Sequence, residues 1–127
     1  MTVRPIDNGN GLGSYTPAIV ADGPFVFVSG QGSIVNGAYQ PGSVYDETLL
    51  ALGHVAELLE QAGSHPGLVL HCRVFLQDIA DFIDFDRAYA KFFPEPRPAR
   101  TTVQAAALPL GVRVEIDCTA AVRARGH

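Results

Sequence analysis

The sequence contains few cysteines and few basic residues. Its 127 residues include two cysteines, Cys72 and Cys118, and no tryptophan. The cysteines lie in apolar, strand-like surroundings; they could form one disulfide, but a reducing compartment favours two buried thiols without a chemical role. Nine Lys and Arg against 13 Asp and Glu give a net charge of -4, with no basic stripe. Nucleic acid is therefore not an expected partner.

Long hydrophobic runs are also missing. The longest apolar stretches, such as residues 24–28 and 105–110, are far shorter than the roughly 20 residues that cross a bilayer. Residues 1–12 lack the apolar segment of a signal peptide. We therefore expect no membrane partner and a cytoplasmic location.

The composition is that of a packed globular protein. Hydrophobic residues make up 47% of the chain and charged residues 17%. A chain of this length has the size of one domain, so we predict a single domain over residues 1–127. No internal repeat or low-complexity tract divides it.

The first third of the chain predicts two strands and a loop. Residues 15–19 and 25–29 are rich in apolar and β-branched residues, and residues 20–24 between them contain an Asp-Gly-Pro turn signal, which predicts a hairpin. Residues 30–42 are rich in glycine and are expected to form a loop, in which one short strand can form.

The remainder of the chain predicts two helices and three strands. Ser43 can cap a helix whose apolar residues recur at helical spacing until Gly63 ends it. A second helix covers residues 79–93 and ends at a proline-rich stretch. Strands are predicted at residues 68–76, 100–106 and 112–122, the last two joined by a turn at residues 108–111.

The resulting order, ββαβαββ, is typical of an α+β fold with a mixed sheet and two helices on one face. The other sheet face must then meet water or another subunit. Alternating apolar residues in the last strand make self-association plausible.

Arg100 is a candidate for binding a carboxylate. It begins a strand directly after the proline-rich stretch, which restricts where its side chain can point. A guanidinium matches a carboxylate with two parallel hydrogen bonds. A structural ion pair at a subunit contact is the alternative, and spacing alone does not distinguish the two.

Glu115 and Tyr15 are further candidates. Glu115 shares one strand face with Asp117 and Thr119, where it is either solvent-exposed or, in a cleft between subunits, able to take a proton from water. Tyr15 either packs its ring in the sheet or offers its hydroxyl to a ligand. The histidines are scattered and there is no Cys-x-x-Cys unit, so no metal site is expected.

The C-terminal third carries a resemblance to a known family. Residues 98–103, Pro-Ala-Arg-Thr-Thr-Val, followed by Leu108-Pro109 and Val114-Glu115-Ile116, closely resemble the signature of the RidA/YjgF family. Supporting likenesses include Gly13-Ser14-Tyr15 and Val28-Ser29-Gly30-Gln31. Together they cover residues 13–122.

This resemblance implies a chorismate-mutase-like fold and a homotrimer with a central barrel and clefts between subunits. It implies that Arg100 binds the substrate carboxylate, that Glu115 positions and deprotonates a water, and that Tyr15 lines the cleft. The backbone at Gly30 and Thr102 would contact the ligand. Arg100 and Glu115, on strands expected to be adjacent, would converge on one pocket where subunits meet.

The activity that the resemblance implies is hydrolysis of reactive imines or enamines that carry a carboxylate, giving a 2-oxo acid and ammonia without a cofactor. Two alternatives are a trimeric protein that binds small carboxylates or partner proteins without turnover, and a deaminase dedicated to one pathway intermediate. The chain departs from the family's usual residues at Thr102, where cysteine is frequent, at Asp86, where asparagine is frequent, and at Gly32-Ser33.

Overall fold

A computed structural model describes residues 3–7, 9 and 13–123 of the chain. Within these residues, two α-helices and eight β-strands are formed. The helices are α1 (Val44–Gln61) and α2 (Phe82–Phe92). The strands are β1 (Val3–Ile6), β2 (Ala18–Ala21), β3 (Phe25–Gln31), β4 (Ile34–Val35), β5 (Ala38–Tyr39), β6 (Val69–Leu76), β7 (Ala99–Gln104) and β8 (Val114–Ala121).

The central element is a four-stranded mixed sheet with the order β3-β8-β6-β7. β7 runs parallel to β6, whereas β8 is antiparallel to both β3 and β6. The two helices and the mixed sheet confirm the predicted α+β class.

Helix α1 begins and ends where local sequence predicts. The Ser43 hydroxyl accepts a hydrogen bond from Asp46 N at 3.1 Å, and this satisfies one of the free amides of the first turn. At the other end Gly63 has φ +80°, a conformation that glycine adopts without a Cβ clash, and Ser64 N bonds Leu59 O at 2.8 Å.

The core lies between the helices and one face of the sheet. Residues at alternate positions of β6 and β8 are buried under the apolar stripes of both helices. The fully buried side chains of this core include Leu52, Val55, Leu59, Cys72, Val74, Phe85, Tyr89, Val114 and Ile116. The two helices therefore cover the same face, as predicted.

The opposite sheet face, here called the open face, is uncovered in a single chain. Phe27 of β3 is 77% exposed, and Val103 of β7 is 43% exposed. Phe27 and Val103 lie on the two edge strands of this face, so each exposes apolar area that a second subunit can cover.

The predicted N-terminal hairpin is wrong. β2 pairs with β1, and β3 pairs with β8. Val28 of β3 is only 6% exposed and faces the core, so β3 belongs to the large sheet, whereas β1 and β2 form a separate and largely exposed pair.

Two further boundaries differ from the prediction. The second helix starts with a 3-10 turn at Ile79–Asp81, in which Ala80 N donates to the Asp78 carboxylate at 2.9 Å, before α2 itself begins. The loop after β3 contains the short β4–β5 hairpin rather than one strand. Neither helix in the described part of the chain has the length and apolarity that a bilayer crossing needs.

Candidate active site

Arg100 lies on the helix-covered face of β7. It is paired in register with the buried Cys72 of β6, so its side chain points towards α2 and is 1% exposed. Its Nη1 donates to Asp86 Oδ1 at 2.7 Å and to Ser14 O at 3.3 Å. The sequence did not distinguish a carboxylate anchor from a structural ion pair at a subunit contact. In the structure Arg100 forms an ion pair within its own chain, with Asp86 of α2.

Aromatic rings surround the same guanidinium. The Arg100 Cζ lies between 4.6 and 5.4 Å from four ring centroids. Those rings belong to Tyr15, Phe82, Phe85 and Tyr89. Cation–π contacts of this kind hold a buried guanidinium in one orientation, so Arg100 is fixed before any ligand arrives.

Asp86 is the charged partner of Arg100. Besides the bond from Arg100, its Oδ1 accepts from Ser14 N and its Oδ2 accepts from Ser14 Oγ, both at 3.0 Å. Burial alone would raise the pKa of this carboxyl, but the bonds from Arg100 and Ser14 and the charge of Arg100 outweigh burial and lower the pKa below its usual value. Asp86 therefore remains ionised at neutral pH.

Two polar atoms of β7 are buried without a partner in the described residues. They are Arg100 Nε and Thr102 Oγ1, which share the helix-covered face of the strand. Buried polar groups in proteins are nearly always hydrogen-bonded, so a position with two orphaned atoms can accept a polar group from outside the chain. A cavity of about 610 Å³ lies nearby, and Gly13, Tyr15 and Thr16 are part of its lining.

Glu115 lies on the open face of β8, opposite Phe75 of β6. Its neighbour on that face, Asp117, forms three hydrogen bonds with Arg73 at 2.8 to 3.1 Å. Glu115 forms no salt bridge with any residue in the described ranges. Of the two carboxylates on this face of β8, Glu115 is the one without a cationic partner.

The Glu115 carboxyl packs directly against the backbone of Gly30 in β3. A Cβ at position 30 would lie 2.7 Å from Glu115 Cδ and 2.8 Å from Oε2, closer than such contacts occur. The sequence resemblance grouped Gly30 and Glu115, and the structure brings them together. A residue without a side chain is required here for Glu115 to keep its position.

Gly30→Ala should therefore displace the Glu115 carboxylate. On the role that the resemblance implies for Glu115, turnover is expected to fall by roughly tenfold or more, because misplacement by about 1 Å can cost this much or more. Steady-state kinetics with thermal unfolding will check this. Gly53→Ala is the matched control, since a Cβ at that position of α1 meets nothing within 4 Å. If Gly30→Ala keeps full turnover, Glu115 does not need this position.

Arg100 and Glu115 do not meet within one chain. β6 lies between β7 and β8, so the prediction of adjacent strands is wrong: strands joined by a short turn need not pair, and β7 enters as the parallel edge strand beside β6. The two side chains also leave the sheet on opposite faces, so the prediction that they converge on one pocket is wrong for a single chain. A site that uses both residues must therefore take them from different chains.

The other candidate chemistry is not supported by the described residues. Cys72 and Cys118 are unbridged and face each other across β6 and β8. Burial raises the pKa of each thiol to about 12, so both remain protonated at neutral pH. Within residues 3–7, 9 and 13–123, no group of three or more potential metal ligands is found.

The chain is similar to a known protein family over most of its length. The chain matches the family described as Endoribonuclease L-PSP over residues 7–122. The chain belongs to this family, also known as RidA/YjgF. The predicted membership is confirmed.

Its relatives include proteins named as deaminases. The chain is 40% identical to Reactive Intermediate Deaminase A, chloroplastic, of Arabidopsis thaliana, covering 86% of this chain and 59% of that protein. It is 37% identical to the 2-iminobutanoate/2-iminopropanoate deaminase of Bos taurus, covering 86% and 80%. The crystal structure of Escherichia coli TdcF with bound serine has a TM-score of 0.73 and 34% identity, covering 90% of this chain and 91% of that one.

Within this RidA/YjgF chain, the direct link between Asp86 and Arg100 was missed from sequence. A signal existed: Asp86 belongs to the same stripe of α2 as Phe82, Phe85 and Tyr89, with the spacing i, i+3, i+4 and i+7. An acidic residue inside an apolar helical stripe indicates a buried partner. Ser14 offered no such signal, because its contact with Asp86 spans 72 positions.

Proposed function

We propose that this protein hydrolyses 2-imino acids, or the enamines that tautomerise to them, to 2-oxo acids and ammonia. We further propose that it acts as a homotrimer whose sites each use Arg100 of one subunit and Glu115 of the next. The observation that carries the proposal is that a preorganised guanidinium lies on one face of the sheet, and a carboxylate with no ion-pair partner among the described residues lies on the other. The imine deaminases among the relatives support the reaction class.

Arg100 is proposed to hold the substrate carboxylate. Its Nη1 is occupied by Asp86 and Ser14, whereas Nε has no partner in the described residues, so the Nε and Nη2 edge is the one for a ligand. A Cβ at Gly13 would lie 3.0 Å from Nη2, so the backbone at Gly13 limits access to this edge. Thr102 Oγ1, also unpartnered, lies on the same face of β7 and is available for a polar group of the ligand.

Glu115 is proposed to act on the attacking water. The carboxylate accepts a proton from water as the water oxygen bonds to the imine carbon, giving a tetrahedral amino alcohol. Glu115 returns this proton to the amino nitrogen, and the carbon–nitrogen bond then breaks with its electron pair on nitrogen. The hydroxyl gives its proton to the carboxylate as the C=O bond forms, and that proton leaves with ammonia, so a protonated imine and water give a 2-oxo acid and ammonium. An imine carbon is already electrophilic, so orientation and one general base are sufficient, and no cofactor is required.

The trimer is supported by the open face. Phe27 and Val103 would otherwise expose apolar surface to water. A head-to-tail ring places one face of each subunit against a different face of its neighbour, which is the geometry that two half-sites on opposite faces require. The central barrel and the cytoplasmic location remain predictions. The Arabidopsis relative is named as chloroplastic.

A subunit-mixing experiment tests the proposal. Arg100→Gln and Glu115→Gln subunits, each expected to retain about 1% of wild-type activity or less at 2-iminobutanoate concentrations well below KM, are co-refolded in equal amounts and assayed at such a concentration. About one quarter of the sites in random trimers would combine an intact Arg100 with an intact Glu115, so roughly a quarter of wild-type activity is expected.

Two results would contradict the proposal. Absence of recovered activity in trimers shown to be mixed would exclude a site shared between subunits. Decay of 2-iminobutanoate at the buffer rate with wild-type protein, with 2-oxobutanoate still bound in an Arg100-dependent manner, would favour a binding protein without turnover.

A further inference from the structure

Asp86 places a negative charge against the group proposed to bind the substrate carboxylate. The Asp86 Oδ1 to Arg100 Nη1 distance is 2.7 Å, and the Arg100 side chain is 1% exposed while that of Asp86 is 21% exposed. The pair is thus poorly screened by water, and its net charge is zero. A ligand that binds Arg100 meets a neutral pair rather than a free cation.

From this geometry we propose that Asp86 is a specificity-determining residue that makes the site favour zwitterionic ligands over anionic ones. The inference rests on the proposed function, because it assumes that the ligand carboxylate binds Arg100. A 2-imino acid with a protonated nitrogen has no net charge, whereas a 2-oxo acid carries one negative charge. Asp86 therefore repels the product more than the substrate.

The charge changes during the proposed reaction itself. The protonated imine and water yield a 2-oxo acid and an ammonium ion, so the positive charge leaves with the nitrogen. The carboxylate that remains on Arg100 is then no longer compensated within the ligand. Two like charges a few ångströms apart in a site of low dielectric change a binding constant by roughly tenfold or more. Asp86 accordingly promotes departure of the product.

Asp86→Asn removes this charge and keeps the local hydrogen bonds. Asparagine Oδ1 can accept from Arg100 Nη1 and Ser14 N as Asp86 Oδ1 does. Its Nδ2 can donate to the Ser14 hydroxyl, which accepts as well as donates. The variant therefore changes charge with little change of shape.

The experiment measures binding of two matched ligands by calorimetry: 2-oxobutanoate, an anion, and L-2-aminobutanoate, a zwitterion. Asp86→Asn should bind 2-oxobutanoate roughly tenfold more tightly than wild type, with a change of less than about threefold for L-2-aminobutanoate. The control is Asp84→Asn on the same helix, whose carboxylate is paired with Arg87 and is 59% exposed. It should change neither affinity.

Several outcomes would overturn the inference. Equal changes for the two ligands would reduce Asp86 to a positioning residue for Arg100 and Ser14, and unchanged affinity for 2-oxobutanoate would remove any role in specificity. Arg100→Gln separates this failure from that of the proposed function. If wild type binds neither ligand, or if Arg100→Gln does not weaken binding, Arg100 is not the anchor and both proposals are wrong.

Discussion

Glu115→Gln is expected to lower kcat for 2-iminobutanoate hydrolysis by roughly 10²- to 10⁴-fold, the usual contribution of a general base. Glutamine has the same shape as glutamate, and Glu115 has no salt bridge in the described residues, so folding should be little affected. Because the imine also decays in buffer, its disappearance must be followed with and without enzyme. Thermal unfolding will show whether the variant is folded.

Asp117→Asn is the matched control for Glu115→Gln. Asp117 lies on the same face of β8, but its carboxylate, which is 17% exposed, is bound to the guanidinium of Arg73, which is 62% exposed. We expect its kcat to stay within about threefold of wild type. If the two variants lose activity equally, the loss is caused by removal of negative charge from this face and not by removal of a general base at Glu115.

Arg100→Gln is expected to lower kcat/KM by roughly 100-fold, mainly through KM. A charge-assisted bond to a carboxylate is worth about 1.5–3 kcal/mol, which glutamine cannot supply. The variant should also lose stability, by roughly 3 kcal/mol, because the largely buried Asp86 is left without its cation. Chemical denaturation and steady-state kinetics measure the two losses separately.

The double variant Arg100→Gln/Asp86→Asn distinguishes these two losses. Removing both charges should restore most of the stability, since a neutral pair of amides can still bond, but should not restore kcat/KM. Recovery of activity together with stability would mean that Arg100 acts only by maintaining the fold.

Local signals in the sequence predicted local structure correctly. The Ser43 cap and the Gly63 terminus bound α1 because capping depends on residues only a few positions apart. The side-chain alternation of β8 was also correct, with Glu115 and Asp117 on one face and Ile116 in the core. A period of two follows from strand geometry alone.

Strand pairing could not be predicted in the same way. The partner of β3 is β8, roughly 90 positions away, and no spacing rule selects it over the nearer β2. For the same reason, the strands that carry Arg100 and Glu115 were incorrectly predicted to be neighbours in the sheet. The contact of Gly30 with Glu115 also depends on the pairing of β3 with β8. The reason for a glycine at position 30 therefore became clear only when the neighbouring strand was known.

The positions of Arg100 and Glu115 on opposite faces of the sheet have a kinetic consequence under the proposed mechanism. An isolated subunit would hold an anchor and a base that can never act on one molecule, so dissociation would stop turnover without unfolding the chain. Specific activity would then fall on dilution, with a midpoint set by the association constant of the subunits rather than by substrate affinity.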